Sequence, residues 1–165
     1  MAARPKKVLA LETNLLLDLG GGKDFAHDFK EEFLSRGYDF VVPPTVVAEL
    51  AFFAALKNAA QGQMANVALE KLASWKCQPL TLSSTDLAIA FRFAIRLIES
   101  GLIPETEPND GKILAQTSLG KIPLLVSSDK HLLEIDEDAL LLTFNEADLF
   151  PVRASHPKRL LKALR

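Results

Sequence analysis

The sequence predicts an α/β protein with a mostly parallel five-stranded sheet. Short, continuous apolar runs alternate along the chain with segments whose apolar residues recur every three or four positions. This alternation is typical of buried strands followed by amphipathic helices. The 165 residues, 48% hydrophobic and 24% charged, are enough for one domain with a substantial core.

The first half of the chain contains two predicted strands, each followed by a predicted helix. The apolar run at 8–11 predicts a strand buried on both faces. Phenylalanines spaced four residues apart then predict an amphipathic helix over about 23–35. A second strand is expected at 40–42, and Pro44 suits the first turn of the helix that follows it.

The second half continues the same alternation. Ser83 and Asp86 have the spacing of a capping box and predict the start of a long helix that ends near Glu99. The remaining predicted elements are helices over about 64–75 and 109–120, and strands over about 77–82, 123–126 and 139–144.

Composition excludes several classes of protein. A net charge of −2 excludes a basic protein that coats nucleic acid indiscriminately. The single cysteine, Cys77, cannot form an internal disulfide and fits a reduced, cytoplasmic protein. Since no charge-free apolar stretch reaches the length of a membrane span, we expect no association with a membrane.

The last fifteen residues differ in charge from the rest of the chain. Five Lys or Arg and no acid lie between residues 151 and 165, which leaves the remaining chain at −7. We therefore divide the chain into a domain at 1–150 and a basic C-terminal tail at 151–165. The tail is expected either to contact RNA phosphates or to form a solvated helical end whose leucines pack on the domain.

Acidic residues follow several of the predicted strands. In a parallel sheet the carboxyl ends of the strands form the usual binding edge. Glu12 and Asp129 come directly after two strands, Glu49 lies one turn into a helix, and Asp110 lies in the first turn of another. Each acid taken alone is explained as a loop residue, a helix cap or a residue stabilised by the helix dipole. Together they predict a cluster of carboxylates that repel one another unless cations or protons neutralise them. Carboxylate oxygens suit Mg²⁺ or Mn²⁺.

Four segments resemble the signature blocks of PIN-domain nucleases, a family that includes the VapC-like toxins of VapBC toxin–antitoxin pairs. They occur in the order found in that family and span most of the chain. The segments are LALETNLLLD at 9–18, VPPTVVAEL at 42–50, ND at 109–110 and PLLVSSDKHL at 123–132.

The resemblance implies a three-layer α/β/α domain and a Mg²⁺- or Mn²⁺-dependent endoribonuclease, with the toxin of a toxin–antitoxin pair as a specific form. The candidate partners are RNA, an antitoxin protein and a second copy of the chain. The acids that are both catalytic and metal-binding in the family fall on Glu12, Glu49, Asp110 and Asp129. Supporting polar positions fall on Thr13, Asn14 and Ser127, and a more distant supporting acid falls on Asp136.

Glu12 departs from the family pattern, which has aspartate at the first acidic position. The additional methylene displaces the carboxylate by about 1 Å, and Mg²⁺ requires near-ideal octahedral geometry. A misplacement of this size can reduce a rate about a hundredfold. The alternative function is therefore a catalytically weakened PIN scaffold that acts as an RNA- or protein-binding module.

Arg92 and Arg96 form a polar stripe on an otherwise apolar helix. They are candidates for contacts with RNA phosphates. We favour the simpler interpretation that they lie on a solvated face, where either one can pair with Glu99.

Overall fold

The computed structural model describes residues 7–56 and 59–164, and within them it contains one five-stranded sheet and nine helices. All strand pairs are parallel, and the strand order is β3-β2-β1-β4-β5. The strands are β1 (Val8–Leu11), β2 (Asp39–Val42), β3 (Cys77–Pro79), β4 (Leu124–Val126) and β5 (Arg153–Ser155). The helices are α1 (Thr13–Gly20), α2 (Asp24–Ser35), α3 (Pro44–Ala54), α4 (Ala60–Lys71), α5 (Ser84–Glu99), α6 (Pro108–Leu119), α7 (Lys130–Leu133), α8 (Glu137–Glu146) and α9 (Pro157–Ala163).

The predicted fold class is confirmed, because a parallel five-stranded sheet is flanked by helices. β1 lies at the centre, with Ala10 opposite Val41 of β2 and Leu125 of β4. Its residues from Leu9 to Leu11 are buried, as expected for a strand covered on both faces. The residues that follow β1 and β4 therefore meet at the middle of the carboxyl edge.

The prediction of a fifth strand at 139–144 is wrong, because this segment lies within α8. Leu140, Thr143 and Phe144 are its buried residues, which is the spacing of a helical face. The carboxylate of Asp136 accepts a hydrogen bond from the Ala139 backbone N–H at 2.9 Å and caps the helix. Asp136 thus stabilises a helix start, and its role as a supporting acid of the site stays a prediction.

The fifth strand is Arg153–Ser155, which lies in the segment identified by charge as a basic tail. It pairs with β4, placing Ala154 opposite Leu125. Val152 before it and Pro157 after it are buried, and α9 packs against α2. The charge boundary at residue 150 therefore does not coincide with the end of the sheet.

The other elements differ from expectation mainly at their ends. The helices expected at 23–35, from Pro44 and at 109–120 are present as α2, α3 and α6. The capping box of Ser83 and Asp86 is formed at the start of α5. Two short helices, α1 and α7, were not predicted, and β3 ends at Pro79 rather than near residue 82.

Aromatic pairs join the helices and the sheet in the core. Phe29 of α2 stacks on Phe40 of β2 with ring centroids 5.7 Å apart, and Phe93 of α5 stacks on Phe144 of α8 at 4.7 Å. Such pairs contribute beyond their buried area and hold the helices at fixed positions over the strands. Among the residues described, no helix has the length and apolar character needed to cross a membrane.

Candidate metal centre at the carboxyl edge of the sheet

Glu12 is held at the point where β1 ends and α1 begins. Its backbone N–H donates to the Val126 carbonyl at 3.0 Å, which continues the pairing between β1 and β4. Its side chain is 2% exposed and caps α1, since Oε2 accepts from the Asn14 backbone N–H at 3.0 Å. The same Oε2 accepts from Ser127 Oγ at 2.8 Å. Glu12 is therefore held in place both by the end of β4 and by the start of α1.

Glu49 reaches the same edge from α3. Its Oε1 accepts a hydrogen bond of 2.6 Å from Thr13 Oγ1, and its Oε2 accepts a longer one of 3.4 Å from Asn109 Nδ2. Thr13 follows β1 and Asn109 lies in the first turn of α6. These contacts join α1, α3 and α6 around the carboxylate. Asn109 was not singled out as a site residue from the sequence, although it lies beside Asp110 in one of the matching segments.

Asp110 is buried in the first turn of α6, with a 5% exposed side chain. Its Oδ2 is buried and has no hydrogen-bond partner among the described residues. The neighbouring Gly111 explains this depth, because a Cβ there would lie 2.7 Å from Ala94 Cα of α5. Only glycine allows α6 to pack so closely on α5. An unpartnered buried carboxylate oxygen is costly and needs a proton or a cation.

Asp129 follows β4 and caps α7, with Oδ1 accepting from the His131 backbone N–H at 2.9 Å. Its own backbone N–H donates to Ser127 Oγ at 2.9 Å. Ser127 is fully buried and thus bridges the Asp129 backbone and the Glu12 carboxylate. This serine fixes the relative position of two of the four acids.

Burial and mutual repulsion raise the pKa of two of these acids. Loss of hydration raises the pKa of Glu12 from 4.5 to about 8, with the charges of Asp129 and Asp110 adding to the effect. Loss of hydration likewise raises the pKa of Asp110 from 3.8 to about 7, followed by the charges of Asp129, Glu107 and Glu49. The four predicted acids therefore act on one another electrostatically and form one cluster.

The donor set of this cluster fits a hard divalent cation. It offers carboxylate oxygens, and Asp110 Oδ2 is a buried acceptor without a partner in the described part of the chain. Within the described ranges, however, no three Asp, Glu, His or Cys side chains already surround one point closely enough to hold an ion. Glu12 and Glu49 instead point to Ser127 and Thr13. These hydrogen bonds leave lone pairs on both carboxylates, so an ion that draws the acids together could bind them while the hydroxyl groups keep them oriented.

The remaining predicted site residues occupy separate positions. Asn14 is half-buried and contributes its backbone N–H to Glu12. Arg96 pairs with Glu146 of α8 at 3.0 Å rather than with Glu99, and Arg92 is exposed on α5. Contacts of either arginine with RNA stay predictions.

The fold and this cluster define the chain as a PIN-type domain, and sequence comparison agrees. The profile of the PIN domain family matches residues 9–138. The chain belongs to the PIN domain family, whose members are generally nucleases. Comparison with curated proteins finds no significant match.

Solved structures with a similar fold include proteins of toxin–antitoxin complexes. A chain of VapBC2 from Rickettsia felis, bound to a DNA fragment from its promoter, superposes with a TM-score of 0.60 and 16% identity, covering 90% of this chain and 98% of that one. VapBC-1 from nontypeable Haemophilus influenzae gives 0.57 and 14%, covering 92% and 98%. FitAcB from Neisseria gonorrhoeae gives 0.55 and 18%, covering 90% and 97%. At these identities the likeness supports the fold alone.

Proposed function

We propose that this protein is a metal-dependent endoribonuclease that hydrolyses RNA phosphodiester bonds. The observation that carries the proposal is the buried, unpartnered Oδ2 of Asp110 within a cluster of interacting acids at the carboxyl edge of the sheet. A structural carboxylate would be expected to have a partner at this depth. An acid whose burial is energetically unfavourable in the ligand-free protein is typical of a site that is completed by a ligand.

Glu12, Glu49, Asp110 and Asp129 are the residues that would hold one or two Mg²⁺ or Mn²⁺ ions. When bound, such a cation neutralises the clustered charge and stabilises the negative charge that develops on the phosphodiester oxygens. In the metal-free protein at neutral pH, Glu12 is mostly protonated and Asp110 partly so, and both would release their protons when a cation binds. Ser127 and Thr13 orient two of the carboxylates through their hydroxyl groups.

The specific form we propose is the toxin of a toxin–antitoxin pair. The support is that the similar solved proteins are members of VapBC and Fit complexes, and that this chain covers nearly their whole length. The partners under this proposal are an RNA substrate, an antitoxin protein and a second copy of the chain. We also propose a cytoplasmic location, which fits an RNA substrate and the free, buried Cys77.

The test is cleavage of a structured RNA pool by the purified protein with Mg²⁺, Mn²⁺ or a chelator. The Asp110→Asn protein, purified in parallel, is the matched control because it keeps the shape of the side chain and removes its ability to ionise. We expect cutting that requires metal and is lost in Asp110→Asn. Equal cutting by Asp110→Asn would overturn the proposal and indicate a contaminating nuclease.

One observation favours a second function, a PIN scaffold that binds RNA or protein without cutting. Glu12 and Glu49 are both engaged by hydroxyl groups, and the acids do not already enclose an ion in the described structure. A binding module needs no divalent ion at these acids. If neither the wild type nor Glu12→Asp cleaves RNA with any metal, and both still bind RNA, this second function would be favoured.

A further inference from the structure

A cavity of about 470 Å³ adjoins the acid cluster between α3 and α6. It reaches the cluster at Glu49, and Asn109, which also lines it, donates a hydrogen bond of 3.4 Å to Glu49 and precedes Asp110 in the chain. Helical spacing from Glu49 and Asn109 accounts for the other lining residues. Phe52 and Lys112 each lie three residues beyond these two residues, and positions three apart occupy the same face of a helix. The cavity therefore runs from Glu49 along the facing sides of α3 and α6.

Phe52 is the most exposed large apolar side chain among the described residues, with 65% of its surface accessible. It lines the cavity beside Phe53, which is half-buried and meets it edge-on with ring centroids 5.9 Å apart. An aromatic ring held in position at the rim of a cleft is a stacking surface for a flat ligand. Stacking on a nucleobase fits this position, because every base presents an aromatic face.

Lys112 provides positive charge in the same cavity. It is half-buried, and its Nζ lies 5.4 Å from the ring centroid of Phe91. In the part of the chain that is described, no carboxylate forms an ion pair with this ammonium group. A cation placed beside an acidic cluster without an acidic partner is available to an anionic ligand, and phosphate is the anion that accompanies a nucleobase.

The two helices that form the walls of the cavity are joined to each other in the ligand-free protein. Gln116 of α6 is 3% exposed and holds Thr45 of α3 by two hydrogen bonds. Its Oε1 accepts from the Thr45 backbone N–H at 3.0 Å, and its Nε2 donates to Thr45 Oγ1 at 2.7 Å. Because α3 and α6 are joined at this point, the distance across the cavity is set before a ligand binds, which limits the entropy lost on binding.

We propose that this cavity binds the nucleotide next to the scissile phosphodiester of a single-stranded RNA, with its base stacked on Phe52 and its phosphate paired with Lys112. A single strand is required because bases in a duplex are not free to stack on a side chain. The assignment rests on the proposed nuclease function for the identity of the neighbouring phosphodiester. It adds two positioning residues that the family blocks do not contain.

The experiment measures binding of a fluorescein-labelled ten-nucleotide RNA by anisotropy, in chelator so that no cutting occurs. Phe52→Leu and Lys112→Gln are compared with Phe52→Trp and Lys112→Arg, which retain a ring and a charge. The matched controls are Phe150→Leu, another exposed phenylalanine, and Lys30→Gln, a lysine that also lies over an aromatic ring. Neither control residue lines the cavity.

We expect Phe52→Leu to weaken binding about tenfold, while Phe52→Trp and both controls leave it unchanged. Lys112→Gln should lower the slope of log Kd against log salt by about 0.7, the value of one phosphate contact to a single strand. An abasic nucleotide at one position of the RNA should abolish the difference between the wild type and Phe52→Leu. Such a result identifies a direct contact between Phe52 and the missing base. A purely structural role of Phe52 would leave the difference between the two proteins unchanged by the abasic nucleotide.

Three results would overturn the assignment. The first is that the wild type binds no single-stranded RNA, and the second is that the Kd is the same in the wild type and in Phe52→Leu. The third is that abasic RNAs leave the difference between these two proteins unchanged, while Phe52→Leu converts a dimer to a monomer. The last result would assign this face to a second copy of the chain. Failure of the nuclease proposal can be told apart from failure of this assignment. A wild type that cuts no RNA with any metal can still bind RNA, and Phe52→Leu can still weaken that binding.

Discussion

Ser127 Oγ lies 2.8 Å from Glu12 Oε2, and this hydrogen bond joins residues 115 positions apart in the sequence. The bond forms because β1 and β4 are neighbours at the centre of the sheet. Ser127 also accepts from the Asp129 backbone N–H at 2.9 Å. One buried hydroxyl group thus positions two acids that the chain delivers from separate strands.

Ser127→Ala should reduce the free energy of unfolding by about 1–3 kcal/mol, because it removes one of the two donors to the buried Glu12 carboxylate and leaves the Asp129 backbone N–H without its partner. Metal affinity and RNA cleavage should fall about 10- to 100-fold, since the acids lose their orientation. Urea unfolding and a cleavage assay measure the two effects. Ser35→Ala, which removes an exposed hydroxyl from α2, is the control and should change stability by less than about 0.5 kcal/mol. Equal effects of the two substitutions would contradict the role of Ser127.

The metal-free protein should lose stability as pH rises. In the unfolded chain, Glu12 and Asp110 ionise near their ordinary pKa values of about 4. In the folded chain their pKa values are raised to about 8 and about 7, so the folded state binds more protons in the window between. The free energy of unfolding therefore falls from about pH 4 to about pH 8, by on the order of 4 kcal/mol for each group.

Thermal unfolding in chelator at pH 5.5 and pH 8.5 measures this effect. We expect a lower Tm at pH 8.5 and a smaller difference in Asp110→Asn, whose amide does not titrate. A Tm that rises between these two values of pH would contradict the pKa shifts.

Glu12→Asp tests the effect of the additional methylene. In the wild type the longer side chain reaches Ser127 and caps α1, which constrains its geometry toward an ion. Since Mg²⁺ requires near-ideal octahedral geometry, we expect the wild type to cut RNA faster with Mn²⁺ than with Mg²⁺. Glu12→Asp should reduce this Mn²⁺-to-Mg²⁺ ratio. A ratio that is the same in both proteins would show that the methylene has no influence on metal choice.

Deletion of residues 151–165 should destabilise the whole domain, because it removes β5 from the edge of β4 and α9 from its contact with α2. Val152 and Pro157 are buried, so the loss should amount to several kcal/mol by the area removed from the core. Circular dichroism of the truncated chain measures this. The double substitution Arg159→Gln and Lys162→Gln, which removes charge from exposed positions only, should leave the Tm nearly unchanged. A truncated chain with the wild-type Tm would instead support a dispensable tail.

Much of the fold could be predicted because its central elements carry strong local signals. The run at 8–11 is apolar on both faces, and Ser83 begins α5 with a capping box that the structure forms. The segment 139–144 was ambiguous because a short apolar run fits a strand and a buried helix equally. The spacing from Asp136 to Ala139 is the signal that indicates a helix start, since it places a cap one turn before the apolar residues.

β5 could not be recognised from the sequence for a physical reason. It has three residues, Arg-Ala-Ser, of which only Ser155 is buried, so it lacks both an apolar run and a period of two. Its stability comes from pairing with β4, which is a tertiary contact. The acids were predictable from their places after strands, whereas the depth of Asp110 depends on the close approach of Gly111 to α5.

The most direct test of the acid cluster as a cation site is the Tm of the wild type and Asp110→Asn during titration with Mn²⁺ at pH 7.5. At a concentration of about a hundred times Kd, binding to the folded state alone adds about 2.7 kcal/mol, which raises the Tm by about 5–10 °C in a protein of this size. We predict this rise in the wild type and its absence in Asp110→Asn. No rise in the wild type, or an equal rise in both proteins, would contradict a divalent-cation site at Asp110.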